Sequence, residues 1–389
     1  MKILHVITGI DRGGAENHLA ELVRHQRASG VAVSVAYLRG TGYWTPGLKK
    51  LGAEVHDLGL KFYGDLKPLV GLRRILKATS FDLIHAHLPP AELYARLALL
   101  GTSATALPLI VSKHNDCPFH RLPGELAMER WVARRASATI VISDAVNRYM
   151  TARRVGAADR MTTIPYGIDV TPFDRVTDGE VDALRREWGV ERDAFVVGFA
   201  GRLVEQKSLD TLIRAFALFL RQQPCDAKLV IVGEGPLMPI LRRFASDEGI
   251  AGRIVWAGLR EDIPVVMKAF DVFALTSIFE GFGLVLVEAM AARKPVVATR
   301  VSAIPEVVLD GETGLLAEPR CPESVASALA QLTDGALRAR LGAAGYRRAL
   351  EHFALERMWQ STDAVYAHCL GSTPSRNAAP DSFAAAPTA

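Results

Sequence analysis

At 389 residues the chain is too long for one ordinary hydrophobic core, so two domains are expected. An apolar share of 49%, a 7% aromatic share and 32 glycines fit a soluble α/β protein, and four scattered cysteines (Cys117, Cys225, Cys321, Cys369) without C-x-x-C spacing exclude a zinc ribbon or disulfide framework. Residues 1–170 carry 22 Lys and Arg against 14 Asp and Glu, and the remainder 24 against 28. That asymmetry suits an anionic partner for the first half, a membrane surface or a phosphorylated acceptor, or else plain solvated charge.

The N-terminal apolar run is closed by Asp11 and Arg12, too early for a signal peptide. The longest uncharged stretch, Leu97 to Ser112, is broken by Gly, Thr, Ser and Pro and falls short of a bilayer span. A cytoplasmic protein, at most peripheral to a membrane face, is expected. Lys2 to Thr8 reads as a buried strand, followed by Gly9, then Gly13-Gly14-Ala15-Glu16 and a helix through Arg27. Strand, glycine turn and helix start make a phosphate cradle, although such loops also serve close strand–helix packing. The spacing is not G-x-G-x-x-G, which disfavours an NAD oxidoreductase. Val31 to Leu38 and Val55 to Leu58 read as strands, and Lys67 to Thr79 as a helix.

Phe81 to His87 is a strand stopped by Pro89-Pro90, and Leu109 to Asp116 repeats the design with Lys113 and His114. Ligand groups gather at the carboxyl ends of strands in open parallel sheets. His85, His87 and His114 are therefore candidates for one cleft. His85 and His87 share a strand face, yet no acidic ligand pattern accompanies them, and no metal is expected. Leu126 to Ala136 carries Arg130, Trp131, Arg134 and Arg135, either a helix for anionic lipid or a solvated helix with one buried Trp. Thr139 to Ser143 is a strand. Thr162 to Asp169, with Pro165 and Gly167, and the polar run Thr171 to Arg192 read as an interdomain connection.

A fresh strand–loop–helix starts at Phe195 and runs through Gly201, Arg202 and Lys207 into a helix, Leu209 to Gln222. Two cations close in sequence beside a helix start can neutralise a diphosphate without a metal. Lys228 to Val232 ends in Gly233-Glu234-Gly235-Pro236, Arg253 to Ala257 ends at Gly258, and Asp271 to Leu275 runs into Glu280. Strands follow at Pro295 to Thr299 and near Gly314 to Leu316, then helices to about Leu370. The stretch Glu280-Gly281-Phe282-Gly283-Leu284 to Glu288 reads as a loop turning into a buried helix near Gly283 or Leu284. Its glycines allow close backbone approach, and its helix start suits an anion. A loop–helix junction with merely capping or solvated acids is the plainer alternative. No Asp-x-Asp occurs anywhere, so the usual acidic metal anchor for a sugar nucleotide is missing.

Alternating strands and helices in both halves predict two doubly wound parallel sheets facing across a cleft. The expected boundaries are 1–175, 190–350, a C-terminal helix at 351–370, and a disordered Ala/Pro/Ser-rich tail at 371–389.

Gly13-Gly14-Ala15-Glu16, His114, Pro165-Tyr166-Gly167-Ile168-Asp169, Gly201-Arg202 with Lys207, Gly233 to Pro236, Glu280 with Glu288, Pro305-Glu306, and Gly311 to Gly314 occur in one order and spacing. In this the chain resembles the retaining glycosyltransferases of family 4, the group 1 glycosyl transferases of GT-B fold, over roughly residues 1–365. The resemblance implies a retaining, metal-independent transfer from a UDP- or GDP-linked sugar to a glycan or lipid-linked acceptor, in polysaccharide, lipopolysaccharide or glycolipid assembly. It implies no cofactor and no nucleic-acid partner, leaves oligomeric state open, and admits peripheral contact with an anionic membrane.

It makes 1–175 the acceptor domain and 190–350 the donor domain, with the helix at 351–370 returning toward the first domain. It casts Glu288 on the ribose hydroxyls, Arg202 and Lys207 on the diphosphate, and Gly13 and Gly14 as backbone donors to that phosphate. Glu280, Gly281, Phe282, Gly283 and Leu284 fall to the sugar, Gly233 and Leu259 to the nucleotide, and His114 to the sugar and acceptor; His114, Glu280, Arg202 and Lys207 form the catalytic set. Same-face attack, with the leaving phosphate taking the acceptor's proton, needs no protein base. Tyr166 and Arg293 stand where the family often has Asn and Gly, and Ala303 where it often has Gly, positions expected to flank the donor site. A catalytically silent module of the same fold and a sugar-nucleotide epimerase are the alternatives.

Overall fold

The structure, a computed structural model, describes residues 1–115, 124–223 and 225–371. Asp116, Cys117 and nearly all of the tail expected to be disordered lie outside the described residues. Two compact units result: Met1–Gly167 together with the chain from Leu355 on, and Ile168–Ala354.

Unit 1 holds a seven-stranded sheet in the order β3-β2-β1-β4-β5-β6-β7, parallel throughout. The strands are β1 Lys2–Ile7, β2 Ala32–Tyr37, β3 Glu54–Asp57, β4 Leu83–His87, β5 Leu109–Lys113, β6 Ala138–Val141 and β7 Met161–Thr163. Strands covered on both faces read as near-continuous apolar runs, and β1 is buried from Ile3 to Ile7. Ile3 and Ile7 face one core, with Leu19 and Val23 of the helix Gly14–Ala28 and Leu355, Met358 and Tyr366 of the helix Leu355–Cys369. Leu4 and Val6 face the other, with Leu72, Tyr94 and Leu99. The C-terminal helix is therefore part of the first unit's core.

Unit 2 repeats the plan with six parallel strands in the order β10-β9-β8-β11-β12-β13: β8 Phe195–Ala200, β9 Ala227–Val232, β10 Ile254–Gly258, β11 Val272–Leu275, β12 Val296–Thr299 and β13 Gly314–Ala317. This is the doubly wound order in which strand succession reverses once, here between β8 and β11, and between β1 and β4 in unit 1. Ligand sites in such sheets lie outside the carboxyl ends at that reversal.

Gly198 in β8 shows how tightly this sheet is covered. A Cβ there would meet the Phe270 ring at 2.1 Å, and that ring is fully buried and stacked 6.0 Å from Trp188. Gly198→Ala is expected to cost about 2–3 kcal/mol through overpacking, read as a lower denaturation midpoint.

Three sequence expectations need correcting. The run Thr171 to Arg192 is not a linker but carries the helices Thr171–Asp174 and Asp178–Glu187, the second started by a Thr177/Glu180 capping box. Met161–Thr163, placed in the connection, pairs with β6 as an edge strand. Trp131 in the helix Glu125–Arg135 is 39% exposed rather than buried, and Val132 and Ala133 face inward instead. Among the described residues, no helix is long and apolar enough to cross a membrane.

Candidate functional site

In unit 2 the chain leaves β8 at Gly201 and β11 at Thr276, the two edges of the strand reversal. Loop 201–208 and loop 276–280 lock together there: Ile278 N–H donates to Gln206 O, the Gln206 amide to Phe279 O, and Thr276 Oγ1 to Lys207 O and Ser208 O. This brings the Lys207 ammonium to 2.5 Å from Glu280 Oε2, which also accepts from Ser277 Oγ at 3.1 Å. Both side chains of the pair are 13% exposed. Arg202 lies in the same loop, exposed, and its guanidinium has no hydrogen-bond or ion-pair partner among the described residues. Lys207 and Glu280, predicted for different parts of a ligand, are thus one ion pair. The ammonium keeps two further donors for an incoming anion, and Arg202 supplies the unbalanced charge.

The predicted glycines have distinct structural reasons. Gly233 (φ 128°) ends β9 so close to β8's exit that a Cβ would lie 2.0 Å from Gly201 O. Gly233 N–H donates to Gly258 O, and Gly201 N–H to Val232 O. Leu259, just beyond β10, is 51% exposed. Gly283 (φ 85°) caps the helix Leu284–Ala291, which begins within the expected window, and a Cβ would press on Leu286 and Glu280. Gly281 is buried, and Phe282, 3% exposed, anchors the loop edge-on against Phe353 at 5.5 Å. Glu288 sits on the second turn of that helix. It keeps some solvent contact, but enough protein surrounds its carboxyl to raise its pKa from 4.5 to about 7 by desolvation.

Ala303 N–H donates to Glu280 O, which places it beside the site. Arg293 does not flank the site. It adopts φ 60°, stacks 3.5 Å over Tyr346 and pairs with Asp174 at 3.2 Å, just before the amino end of β12. It lines a cavity of about 490 Å³ with Arg185, Lys268, Lys294, Asp178 and Asp193, away from the carboxyl edge.

In unit 1, β1, β4 and β5 direct His5, His85, His87 and His114 into one buried cluster, joined by His18 from the helix Gly14–Ala28; none is more than 5% exposed. Gln26 Oε1 lies 2.9 Å from His5 Nε2, His5 Nδ1 3.1 Å from His87 Nε2, His87 Nδ1 3.3 Å from His114 Nε2, and His114 Nδ1 2.6 Å from the Tyr166 hydroxyl. His85 bridges the Tyr366 hydroxyl and Ser112 Oγ, each at 2.7 Å. Burial drives the pKa of His5 down to about 4 and of His18 to about 3, and holds His85, His87 and His114 well below 6.5. All five are neutral at pH 7. His5, His85 and His87 bring ring nitrogens within 4.8 Å of one another, but these nitrogens are spent in the bonds above and no carboxylate joins them among the described residues. A divalent ion there would carry uncompensated buried charge. Gly13 and Gly14 open the helix beside the cluster, a Cβ on Gly14 standing 3.6 Å from Tyr166 Cε2.

Sequence reading missed Ser277, Gln206, Gln26, His5 and Tyr366. His5 had a usable signal, since it precedes the β1 exit and pairs in register with His85. The others lack a pattern.

Two Rossmann-like units with the strand reversal in each define a GT-B glycosyltransferase architecture. Residues 194–334 match the family described as Glycosyl transferases group 1, and residues 12–171 that described as Glycosyltransferase Family 4. The chain belongs to this family and is a glycosyltransferase. It is similar to the D-inositol 3-phosphate glycosyltransferase of Stackebrandtia nassauensis, 31% identical over 88% of this chain and 83% of that one. It is also similar to the GDP-mannose-dependent alpha-(1-6)-phosphatidylinositol monomannoside mannosyltransferase of Mycolicibacterium smegmatis, 33% identical over 71% and 74%. Among solved structures, Anabaena HepE in complex with UDP and glucose superposes with TM-score 0.85 at 25% identity, covering 95% of this chain and all of that one.

Proposed function

We propose that the enzyme moves a hexosyl group from a UDP- or GDP-linked sugar to a glycan or lipid-linked acceptor, retaining the anomeric configuration and using no metal in the chemical step. The observation that carries this is the Lys207–Glu280 pair beside Arg202 at the β8/β11 reversal. Cations for a departing diphosphate stand next to a carboxylate for sugar hydroxyls. As the anomeric C–O bond breaks, charge grows on the leaving phosphate, where Lys207 and Arg202 stabilise it. The acceptor oxygen bonds to the anomeric carbon on the same face, and its proton passes to the leaving phosphate oxygen. Glu288 accepts the ribose hydroxyls. The HepE complex with UDP and glucose and the GDP-mannose dependence in the mycobacterial relative's name support a nucleotide-sugar donor. The basic first half, with exposed Trp131, Arg134 and Arg135 on one helix, supports work at an anionic membrane face.

The test is thermal stabilisation by UDP, GDP and ADP, followed by sugar transfer in excess chelator. One nucleotide should raise stability, by about 2.7 kcal/mol at a hundred times its Kd, and transfer should proceed at full rate with chelator. Stabilisation by neither UDP nor GDP, or a strict divalent-metal requirement, would overturn the reading.

A further inference from the structure

The hydrogen bonds of the histidine cluster are not independent of one another. A neutral imidazole has one N–H and one lone pair, so fixing the role of one nitrogen fixes the other. The Gln26 amide is oriented with its nitrogen 3.3 Å from the Tyr366 hydroxyl and its oxygen 2.9 Å from His5 Nε2. An amide oxygen only accepts. His5 therefore carries its proton on Nε2 and accepts on Nδ1, which makes His87 donate from Nε2. His87 Nδ1 then accepts from His114 Nε2, and His114 Nδ1 accepts from the Tyr166 hydroxyl. Turning the Gln26 amide over would reverse every bond in the series and make His114 donate to Tyr166 instead.

We propose that Gln26 is a positioning residue, which acts through His5 and His87 to select the nitrogen of His114 that carries the proton, and so the polarity of the His114–Tyr166 pair. The series cannot escape this constraint by taking up a proton, because burial keeps each imidazole neutral. A second branch starts from the same amide and is satisfied in this orientation: Tyr366 accepts from Gln26 and donates to His85 Nδ1, and His85 Nε2 donates to Ser112 Oγ. Gln26 lies on the helix whose first residue, Gly14, packs beside Tyr166. Control of His114 thus runs from the last turns of that helix, through two strands, back to its N-terminus.

The effect on rate rests on the proposed transfer reaction; the tautomer does not. Nitrogen–proton correlation spectra of the full chain, labelled with ¹⁵N-histidine, should show His5, His87 and His114 all protonated on Nε2. In Gln26→Met, His114 should lose its single tautomer, and kcat should fall roughly ten- to a hundredfold with donor KM unchanged, as when a partner that fixes an imidazole tautomer is removed. In Tyr166→Phe, which removes the hydroxyl beside His114 Nδ1, His114 should stay protonated on Nε2. His114 protonated on Nδ1 in the wild type, an unchanged single tautomer in Gln26→Met, or release of the tautomer by Tyr166→Phe would each overturn the proposal. Should Gln26→Met fail to fold, the wild-type and Tyr166→Phe spectra still decide it. If no nucleotide sugar is turned over, the transfer reading fails while the tautomer measurement stands.

Discussion

Lys207→Ala is expected to lose about a hundred- to a thousandfold in kcat/KM for sugar transfer while the fold survives, the scale seen when one preorganised donor to a developing negative charge is removed. Lys207 has two jobs that must be separated. It balances Glu280 at 2.5 Å, and it offers its remaining donors to the leaving phosphate. If balance were its only role, adding Lys207→Ala to Glu280→Gln would cost nothing further and the double variant would match Glu280→Gln alone, because no unpaired carboxylate would remain. If it holds phosphate, the double variant stays as slow as Lys207→Ala or slower, and the cycle shows no rescue. Transfer rates for the four proteins settle the matter. Wild-type-like turnover in Lys207→Ala would remove this loop from the donor site.

Glu288 sets the second expectation. Its folded pKa of about 7 stands above the 4.5 of an unperturbed carboxyl because desolvation penalises the ion. Relative to the unfolded chain, the native state is relieved of this penalty below pH 4.5 and bears it in full once the pH has risen through about 7. Glu288→Gln should therefore be more stable than wild type at pH 8, by up to roughly 3 kcal/mol, with the difference gone near pH 4. Function should move the other way. A ribose diol donates more strongly, and through both oxygens, to the carboxylate than to the protonated acid, so nucleotide affinity should rise with pH, at most about tenfold per unit below 7, and level off above it. The Gln variant should bind weakly and lack that part of the pH dependence. The nucleotide's own phosphate also titrates, so the readout is the difference between the two proteins by calorimetry. Parallel pH profiles would remove Glu288 from the ribose.

Both of these groups were legible in the sequence, because each lies in a strand-end loop or the helix after it and is fixed by local spacing. Gly201, Arg202 and Lys207 follow one buried strand, and Glu280 to Glu288 follow another. What the sequence did not show was pairing across distance. Lys207 and Glu280 stand 73 residues apart, and nothing in either motif says that the cation neutralises the acid. The histidine series is the extreme case. His85 and Tyr366 are separated by 281 residues, and Gln26, which bonds to both Tyr366 and His5, looks like any polar position late in an amphipathic helix. The misread segments failed for other physical reasons. Thr171 to Arg192 is polar because its short helices bury few residues, and β7 is a three-residue edge strand with a proline close behind. Arg293 takes up a left-handed backbone conformation of the kind glycine adopts freely, with stacking on Tyr346 and an ion pair to Asp174 holding it there.

The helix Leu355–Cys369 belongs to the first unit although it comes last in the chain. Its Met358 and Tyr366 meet His18, His85 and Gln26, so the buried imidazoles stay uncovered until this helix has left the ribosome. All of unit 2, Ile168–Ala354, is made in the interval, a delay of roughly 10 to 40 s at ordinary elongation rates. Once Ala354 has been made, the second unit has its whole sequence in hand and the first still lacks the helix Leu355–Cys369. Order of synthesis and order of completion are therefore inverted: the sheet of unit 1 is made before that of unit 2, and the core of unit 1 is the later of the two to have all its residues.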